Sequence, residues 1–244
     1  PGGVYTPLNP RAADSEVTSQ LAALRPVAVI TTPELADRFS SFDLPVVTGA
    51  GRQWDLAAKG SSPDDPRHYD ADVALLQFTS GTTGAPKPVP LRHATVLDLI
   101  DRLLAKLRGA KPDPGKPKRP PMPNLVPLSL SLWAGIYQVL FAFRAGSGVV
   151  LMDRFSPTDF AVLVKRHQLR STVLPPAALT MVLYDEAVTD LSPLKIVRSI
   201  TAPLSPVQAA RFRDKFGVLV LNSYGQTEPV SYTHLRAHET SLHL

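Results

Sequence analysis

One short string concentrates groups that can bind phosphate. Residues 78–87 read FTSGTTGAPK; they follow an apolar run that predicts a buried strand and precede a pattern that predicts a helix. The glycines permit backbone conformations that expose N–H groups, the hydroxyls can donate to phosphate oxygens, and the lysine adds a positive charge. The candidate ligands are Thr79, Ser80, Gly81, Thr82, Thr83, Gly84 and Lys87. A triphosphate has the shape and charge that such a string can bind.

This string is not a Walker A loop. That pattern requires Gly-Lys-Ser/Thr after four spacer residues, whereas Lys87 lies between Pro86 and Pro88. The lysine is therefore not expected at the N-terminus of a helix. An ordinary Gly/Thr turn is the alternative interpretation, and the density of hydroxyls, glycines and a lysine after a buried strand argues against it.

The pattern around this string predicts alternating strands and helices. Apolar runs favour strands at 27–31, 44–47, 73–78, 124–128, 147–152, 171–174, 194–200 and 218–224. Apolar positions at helical spacing predict helices over 14–24 and 92–108, and Ser-Pro pairs predict helix starts at Pro157 and Pro206. Residues 49–70 are polar and predict a loop. The alternation predicts an α/β fold of parallel-rich layered sheets with flanking helices.

An uncharged stretch tests this interpretation. Residues 125–143 carry no charge and reach the length of a membrane span. Pro127 and the alternation of leucine and serine over 128–132 oppose a lipid-facing helix. We therefore expect a short buried strand at 124–128, a turn, and a buried helix over 132–144.

Composition limits the classes of function. The chain has 244 residues, of which 44% are hydrophobic, so a disordered tail is excluded. It has no cysteine, which excludes disulfide scaffolds, zinc–thiolate centres, iron–sulfur clusters and cysteine nucleophiles. The net charge of +5 favours anionic ligands. The Pro- and Lys-rich segment 109–123 predicts an exposed loop because no aromatic residues interleave its charges; a nucleic-acid or membrane patch is the alternative.

Several motifs, in their order along the chain, resemble those of the adenylate-forming, or AMP-binding, enzymes, and most of all those of the acyl-CoA synthetases. FTSGTTGAPK is similar to the family's phosphate loop, and NSYGQTE at 222–228 is similar to its Tyr-Gly-x-Thr-Glu motif. Between them, SITAPL at 199–204 resembles the segment that lines the family's adenine pocket. The resemblance implies a partial AMP-binding N-terminal domain over 1–228.

The resemblance also implies a reaction: activation of a carboxylic acid, expected here to be a fatty acid, by ATP to an acyl-adenylate, then thioester formation with coenzyme A. It implies catalytic roles for Lys87 at the pyrophosphate, Thr227 at the α-phosphate, and Glu228 as the ligand of Mg²⁺. The other nucleotide contacts implied by the resemblance are Thr201, Ala202, Pro203, Ser223, Tyr224, Gly225 and Gln226. Tyr224 would stack on the adenine, and a core position is the alternative.

The acyl pocket is implied at Trp133, Ala134 and Gly135, where the family has an aromatic residue or histidine, a small residue and a glycine. Trp133 either gates the pocket or belongs to the core. The apolar residues that follow fit a lipid-like acid better than an amino acid. We expect a small-molecule carboxylate, ATP and coenzyme A as ligands, no nucleic acid, no transmembrane span and a cytoplasmic location; peripheral membrane contact stays open.

The sequence departs from the family in three places. Pro88 stands where the family has glycine after the lysine, and Ile200 and Thr201 replace a pair of glycines or similar residues. The string 229–244 does not resemble the family and is expected to be non-native read-through, so the C-terminal domain is expected to be absent. The chain alone is accordingly expected to have little ligase activity. The main alternative is a nucleotide-binding protein without catalysis.

Overall fold

The computed structural model describes residues 3–55, 60–61, 63–78, 87–108, 122–224 and 233–235. For residues 107–108, 224 and 233–235 it describes the backbone only. The chain divides into two compact units, Pro1–His93 and Ala94–Leu244.

In the first unit, a helix and a short 3-10 helix accompany a small sheet. Helix α1 (Asp14–Leu24) has the predicted bounds, and the 3-10 helix Pro33–Phe39 was not predicted. Strand β1 (Val29–Thr31) runs parallel to β2 (Val46–Ala50), and β2 pairs antiparallel with β3 (Gln53–Asp55). The core between helix and sheet consists of Ala12, Val17, Leu21, Val29, Phe39, Leu44 and Val46.

Strand β3 shows that the predicted loop over 49–70 was wrong in part. Gly51 has a φ of 62°, which lets the chain reverse after β2, and Trp54 is the cross-strand partner of Gly49. A Cβ at Gly49 would lie 2.2 Å from the ring of Trp54, so glycine leaves room for the indole. The strand gave no sequence signal because all of its residues are exposed and no apolar alternation marks them.

The first unit also holds an antiparallel pair on either side of the candidate phosphate string. Strand β4 (Val73–Phe78) has the predicted bounds, whereas β5 (Pro88–Arg92) was not predicted. The prolines of β5 lack N–H groups, which weakens a strand signal and restricts such residues to strand starts and edges. Phe78 and Pro88 are register partners, so the ladder joins the two ends of segment 79–87. The string therefore connects two strands and does not lead directly into a helix, as the sequence had suggested.

The second unit is built on strands that run mostly parallel. Strands β8 (Ser171–Leu174), β9 (Ile196–Ser199) and β10 (Leu219–Tyr224) are parallel neighbours, and β11 (Thr233–Leu235) pairs antiparallel with β10. Two further strands, β6 (Asn124–Val126) and β7 (Val149–Leu151), form a separate parallel pair. Each predicted strand of this unit is confirmed to within a few residues.

Among the described residues, the helices in or at the start of the second unit are α2 (His93–Arg108), α3 (Trp133–Ala145), α4 (Pro157–Arg166), α5 (Pro176–Tyr184) and α6 (Pro206–Phe216). Helix α5 was not predicted, because nearly all of its own residues are apolar. Its sequence therefore shows no alternation of polar and apolar faces at the helical period. The main core of this unit includes Phe160, Leu169, Leu174, Leu179, Val197, Phe212 and Val220.

The uncharged stretch folds as predicted into a strand, a turn and a helix. Strand β6 and helix α3 are joined by the amide of Asn124, whose Nδ2 donates to the backbone oxygen of Gln138 at 2.8 Å and to its side-chain oxygen at 2.9 Å. Within the described ranges, no helix is both long and apolar enough to cross a membrane.

The N-caps of α4 and α6 allow a matched test of the fold. Ser156 Oγ accepts a hydrogen bond from the backbone N–H of Asp159 at 3.2 Å, whereas the corresponding distance from Gln208 N to Ser205 Oγ is 3.5 Å. We expect Ser156→Ala to lower the free energy of unfolding by about 1 kcal/mol in urea denaturation. Ser205→Ala is expected to cost less because its bond is longer. Equal losses at the two caps would contradict this ranking.

Candidate functional site at the carboxyl edge of the sheet

The carboxyl ends of the parallel strands meet at one edge in the second unit. Ser199 of β9 is the register partner of Leu174 in β8 and of Asn222 in β10. The turn after β9, residues 200–203, therefore leaves the sheet at the same edge as residues 223–224. In open α/β sheets, ligands bind in the crevice outside this edge. The topology thus brings together two of the segments that sequence reasoning singled out for the nucleotide.

Thr201 holds an unusual backbone conformation in this turn. Its φ of 78° lies in the left-handed region, where the Cβ of a non-glycine residue is crowded and a branched side chain most of all. Such a conformation costs on the order of 1–3 kcal/mol and recurs at active sites and ligand-binding turns, although in this chain Arg25 and Gln168 also adopt a positive φ. The side chains of Thr201, Ala202 and Pro203 are exposed, so they are available to a ligand at the edge.

The preceding residue anchors the turn. Ile200 is 5% exposed and belongs to a small apolar cluster with Val126, Leu128 and Val173, against which Ala134 packs. The cluster fixes the chain immediately before Thr201. It also places the first turn of α3 beside the turn after β9, so a predicted acyl-pocket residue and the predicted adenine segment lie close together.

The first turn of α3 contains the predicted acyl-pocket residues. Trp133 is 4% exposed, and its ring centroid lies 5.7 Å from that of Tyr137, with the ring planes at 59°. Gly135 allows close packing, since a Cβ there would lie 2.2 Å from the carbonyl oxygen of Ser129. The burial of Trp133 fits both a core position and the wall of a pocket.

Several candidate residues lie outside the part of the chain that the structure describes. They are Thr79, Ser80, Gly81, Thr82, Thr83, Gly84, Gly225, Gln226, Thr227 and Glu228, together with the side chain of Tyr224. Lys87 is described: it belongs to the first unit, is exposed and directly precedes β5. Ser223 is buried at 6% exposure. Among the described residues, no group of three His, Cys, Asp or Glu side chains is placed to hold a metal ion.

Sequence reasoning missed two polar residues near this site. Tyr137 lies one turn after Trp133 on α3, and burial raises the pKa of its hydroxyl to about 12, against the opposing effect of the positive charge of Arg198. The spacing of four residues between the two aromatic side chains was the available signal for Tyr137. Nothing in the sequence linked Arg198 of β9 to this helix.

These features define an α/β protein with a candidate ligand site at the carboxyl edge of a parallel sheet. The sequence matches the family described as AMP-binding enzyme over residues 1–242. The chain belongs to this family of adenylate-forming enzymes, and its fold is that of part of their N-terminal domain.

Individual relatives agree with this assignment. The chain is 32% identical to 4-coumarate–CoA ligase-like 5 of Oryza sativa subsp. japonica over 240 residues, which cover 93% of this chain and 44% of that protein. ATP-bound MatB from Rhodopseudomonas palustris shares the fold with a TM-score of 0.76 and 23% identity, over 97% of this chain and 47% of that chain.

A third protein shows the same fold. O-succinylbenzoate coenzyme A synthetase (MenE) from Bacillus subtilis, in complex with ATP and magnesium ion, has a TM-score of 0.73 and 20% identity, over 96% of this chain and 47% of its own. The chain thus spans less than half the length of each of these three proteins.

The close contact at Gly135 predicts a large stability effect. Gly135→Ala would drive a methyl group into the carbonyl of Ser129, so α3 must shift or the loop before it must open. We expect the free energy of unfolding to fall by about 2 kcal/mol or more. Gly148→Ala is the matched control, since a Cβ there meets only Pro123 Cβ at 3.7 Å. Similar unfolding curves for the two variants would refute the close packing.

The conformation of Thr201 predicts that a substitution there increases the free energy of unfolding. Glycine adopts a positive φ without strain but makes the unfolded chain more flexible, so Thr201→Gly is expected to raise the free energy of unfolding by about 0.5 kcal/mol. Thr158→Gly, at an exposed position in the first turn of α4 where its hydroxyl pairs with that of Ser156, should instead lower it by roughly 0.3–0.5 kcal/mol. Urea denaturation of both variants checks this contrast, and a loss at both positions would rule out strain at Thr201.

Proposed function

We propose that this chain contributes nucleotide- and acid-binding residues to an enzyme that activates a carboxylic acid with ATP and transfers the acyl group to the thiol of coenzyme A. The observation that carries the proposal is the convergence of the strained turn at Thr201 with the end of β10 at the carboxyl edge of the sheet. Membership in the AMP-binding enzyme family supports it independently.

The chemistry requires charge neutralisation. In the first step a carboxylate oxygen attacks the α-phosphorus of ATP and pyrophosphate leaves, so two anions must approach each other. Under this proposal Lys87 binds the phosphates that leave, and Thr227 donates a hydrogen bond to the α-phosphate. Glu228 would hold Mg²⁺, a hard cation that prefers oxygen ligands and supplies charge at the phosphate oxygens.

The edge of the sheet in the second unit would hold the adenosine part of a nucleotide. Ala202 and Pro203 are exposed there and present a small, mostly apolar surface suited to the face of a purine. Ser223 and Tyr224 end the neighbouring strand, and the ring of Tyr224 would stack on the adenine. The left-handed turn at Thr201 fits this role because strained backbone conformations of this kind are common where a protein binds a ligand.

The acid itself is the less constrained part of the proposal. The apolar cluster beside Ala134 supports an acid with an apolar body, and the expected fatty acid stays a prediction. The relative named 4-coumarate–CoA ligase-like 5 makes an aromatic acid an equally direct choice for assay. The cytoplasmic location and the absence of nucleic-acid binding also stay predictions.

One observation favours a second candidate, a nucleotide-binding protein without catalysis. Pro88 follows the lysine directly and is the first residue of β5, where its backbone is paired with that of Phe78. Its fixed φ restricts how segment 79–87 can close on a phosphate. A loop that binds ATP but does not adapt to the transition state would give binding without turnover.

Nucleotide binding by the 244-residue chain tests the shared part of both candidates. We expect Lys87→Ala to weaken ATP binding by roughly tenfold to a hundredfold in calorimetric titration, because a charge-assisted hydrogen bond to phosphate is lost. Lys116→Ala and Lys118→Ala are matched controls in the basic segment 109–123 and should leave ATP affinity unchanged. Loss of ATP binding in the controls but not in Lys87→Ala would favour an anion-binding role for that segment and would refute the proposal.

A second assay separates the enzyme from the non-catalytic protein. ATP–pyrophosphate exchange by the complete protein, dependent on added fatty acid or 4-coumarate, is expected if the acid is adenylated. ATP binding without acid-dependent exchange would select the second candidate.

A further inference from the structure

An arginine bridges two carboxylates at the end of the β4–β5 pair that is opposite the candidate phosphate string. Nη1 of Arg92 lies 2.5 Å from each carboxylate oxygen of Asp72, and Nη2 lies 2.9 Å from Oδ2 of Asp70. The backbone N–H of His93 also donates to the carbonyl oxygen of Asp72 at 2.8 Å. Arg92, Asp70 and Asp72, the Arg92 cluster, therefore join the end of β5 to the turn that enters β4.

The charges of this cluster are well matched. The hydrogen bond from Arg92 lowers the pKa of the Asp72 carboxyl, against the opposing effect of desolvation, so Asp72 is ionised at neutral pH. A single exposed ion pair contributes little to protein stability, whereas an arginine that binds carboxylates in bidentate geometry within a network is an exception. A lysine would be a poor substitute, since a single ammonium group lacks the planar fork of donors.

Strand β5 has few other anchors. Among the described residues it pairs only with β4, whereas β4 is also bridged to Tyr5. Pro88 and Pro90 of β5 cannot donate a backbone hydrogen bond. Because a two-stranded pair alone is marginally stable, the position of β5 depends on the burial of Leu91, which is 2% exposed, and on the Arg92 cluster.

The cluster also stabilises an irregular register. From the string to Leu75 the two strands pair without interruption, and a regular continuation would place Arg92 opposite Ala74. Arg92 is instead opposite Val73, because a bulge shifts the register at this point. Asp72 directly precedes Val73, so its bonds to Arg92 favour the shifted register over the regular one.

The register of β5 affects where Lys87 lies. Lys87 is exposed and directly precedes β5, so a slip of β5 by one residue would move its backbone by about 3.4 Å relative to the end of β4 at Phe78. A charge-assisted hydrogen bond has a donor–acceptor distance of about 2.7–2.9 Å. The lysine could compensate for such a slip only by restricting its side chain to other rotamers, which would lower its affinity for a ligand.

We propose that Arg92, through Asp70 and Asp72, is a positioning residue for phosphate binding: it fixes the register of β5 and thereby holds Lys87 where it can bind the phosphates of ATP. This inference rests on the proposed function, since it takes Lys87 to be a phosphate ligand. Arg92 itself does not contact the phosphates under this proposal, because it follows Lys87 by five residues of extended chain, roughly 17 Å.

Calorimetric titration of ATP into variants of the 244-residue chain tests the role of the cluster. We expect Arg92→Gln and Asp72→Asn each to weaken ATP binding by roughly threefold to tenfold, less than Lys87→Ala, because the lysine is displaced and not removed. Arg92→Lys keeps the charge without the bidentate geometry and should retain only part of the affinity. Arg25→Gln is the matched control: it breaks the exposed 2.9 Å ion pair to Asp65 in the same unit and should leave ATP affinity unchanged.

A double variant separates positioning from a merely structural role. If Arg92 acts through the lysine, Arg92→Gln should have no further effect on ATP affinity in a chain that already carries Lys87→Ala. A further loss of the same size in that background would show that Arg92 acts independently of Lys87 and would overturn the inference. ATP binding that weakens in Arg92→Gln but not in Asp72→Asn would overturn it as well, because it would indicate that the arginine contacts phosphate directly.

The outcomes distinguish this inference from the proposed function. Failure of the unsubstituted chain to bind ATP would overturn the proposed function and this inference with it. Equal ATP affinity in the unsubstituted chain and in Arg92→Gln would overturn the positioning role alone. Urea denaturation reports whether each variant folds. If Arg92→Gln does not fold, Asp70→Asn, which removes one bond of the cluster, is expected to weaken ATP binding about twofold to threefold, and an unchanged affinity in that variant would then overturn the positioning role.

Discussion

The parallel register of β8, β9 and β10 is the constraint on which the site in the second unit depends. Because Leu174, Ser199 and Asn222 are aligned, everything that follows these strands emerges at one edge. Apolar side chains on one face of the sheet stabilise this register. Val197 and Val220, for example, are buried in the main core together with residues of α5 and α6. A one-residue slip would turn these valines away from the core, so the packing energy of the core also fixes the geometry of the edge.

The start of α3 is a second element that shapes this part of the unit, and its own local contacts hold it in place. The helix is tied to β6 by the amide of Asn124 and is brought close to the preceding loop by Gly135, which accommodates the carbonyl of Ser129 without a side chain. Trp133 is buried at the first position of the helix as a result. Local packing of this kind determines where the side chain of Trp133 lies relative to the sheet edge. Family resemblance alone does not predict that position.

The sequence predicted best those strands whose side chains are mostly buried, and it missed elements that lack a regular apolar pattern. Strands β4 and β8 had the predicted bounds because continuous apolar runs mark strands covered on both faces. Strand β3 has no buried residue, β5 contains prolines, and α5 has apolar residues all around, so each lacked the periodic signal that prediction uses. For the site, the motifs at 199–204 and 222–228 pointed to the two segments that follow or end β9 and β10, and the strand register aligns these strands. The electrostatic effect of Arg198 on Tyr137 was not predictable, because it arises from tertiary packing between residues remote in sequence.

The two residues that distinguish this chain at the predicted adenine segment, Ile200 and Thr201, have opposing physical effects. A glycine at position 201 would adopt the observed φ without strain, whereas threonine adopts it at a cost. A glycine at position 200 would contribute no apolar surface, whereas Ile200 is buried against Val126, Leu128 and Val173 and so stabilises the chain at the point where the strained turn begins. Burial of one isoleucine side chain is worth roughly 1.5–3 kcal/mol, which matches the scale of the strain next to it. The departure from the family pattern is therefore consistent with a turn that keeps its shape through packing instead of through the freedom of glycine.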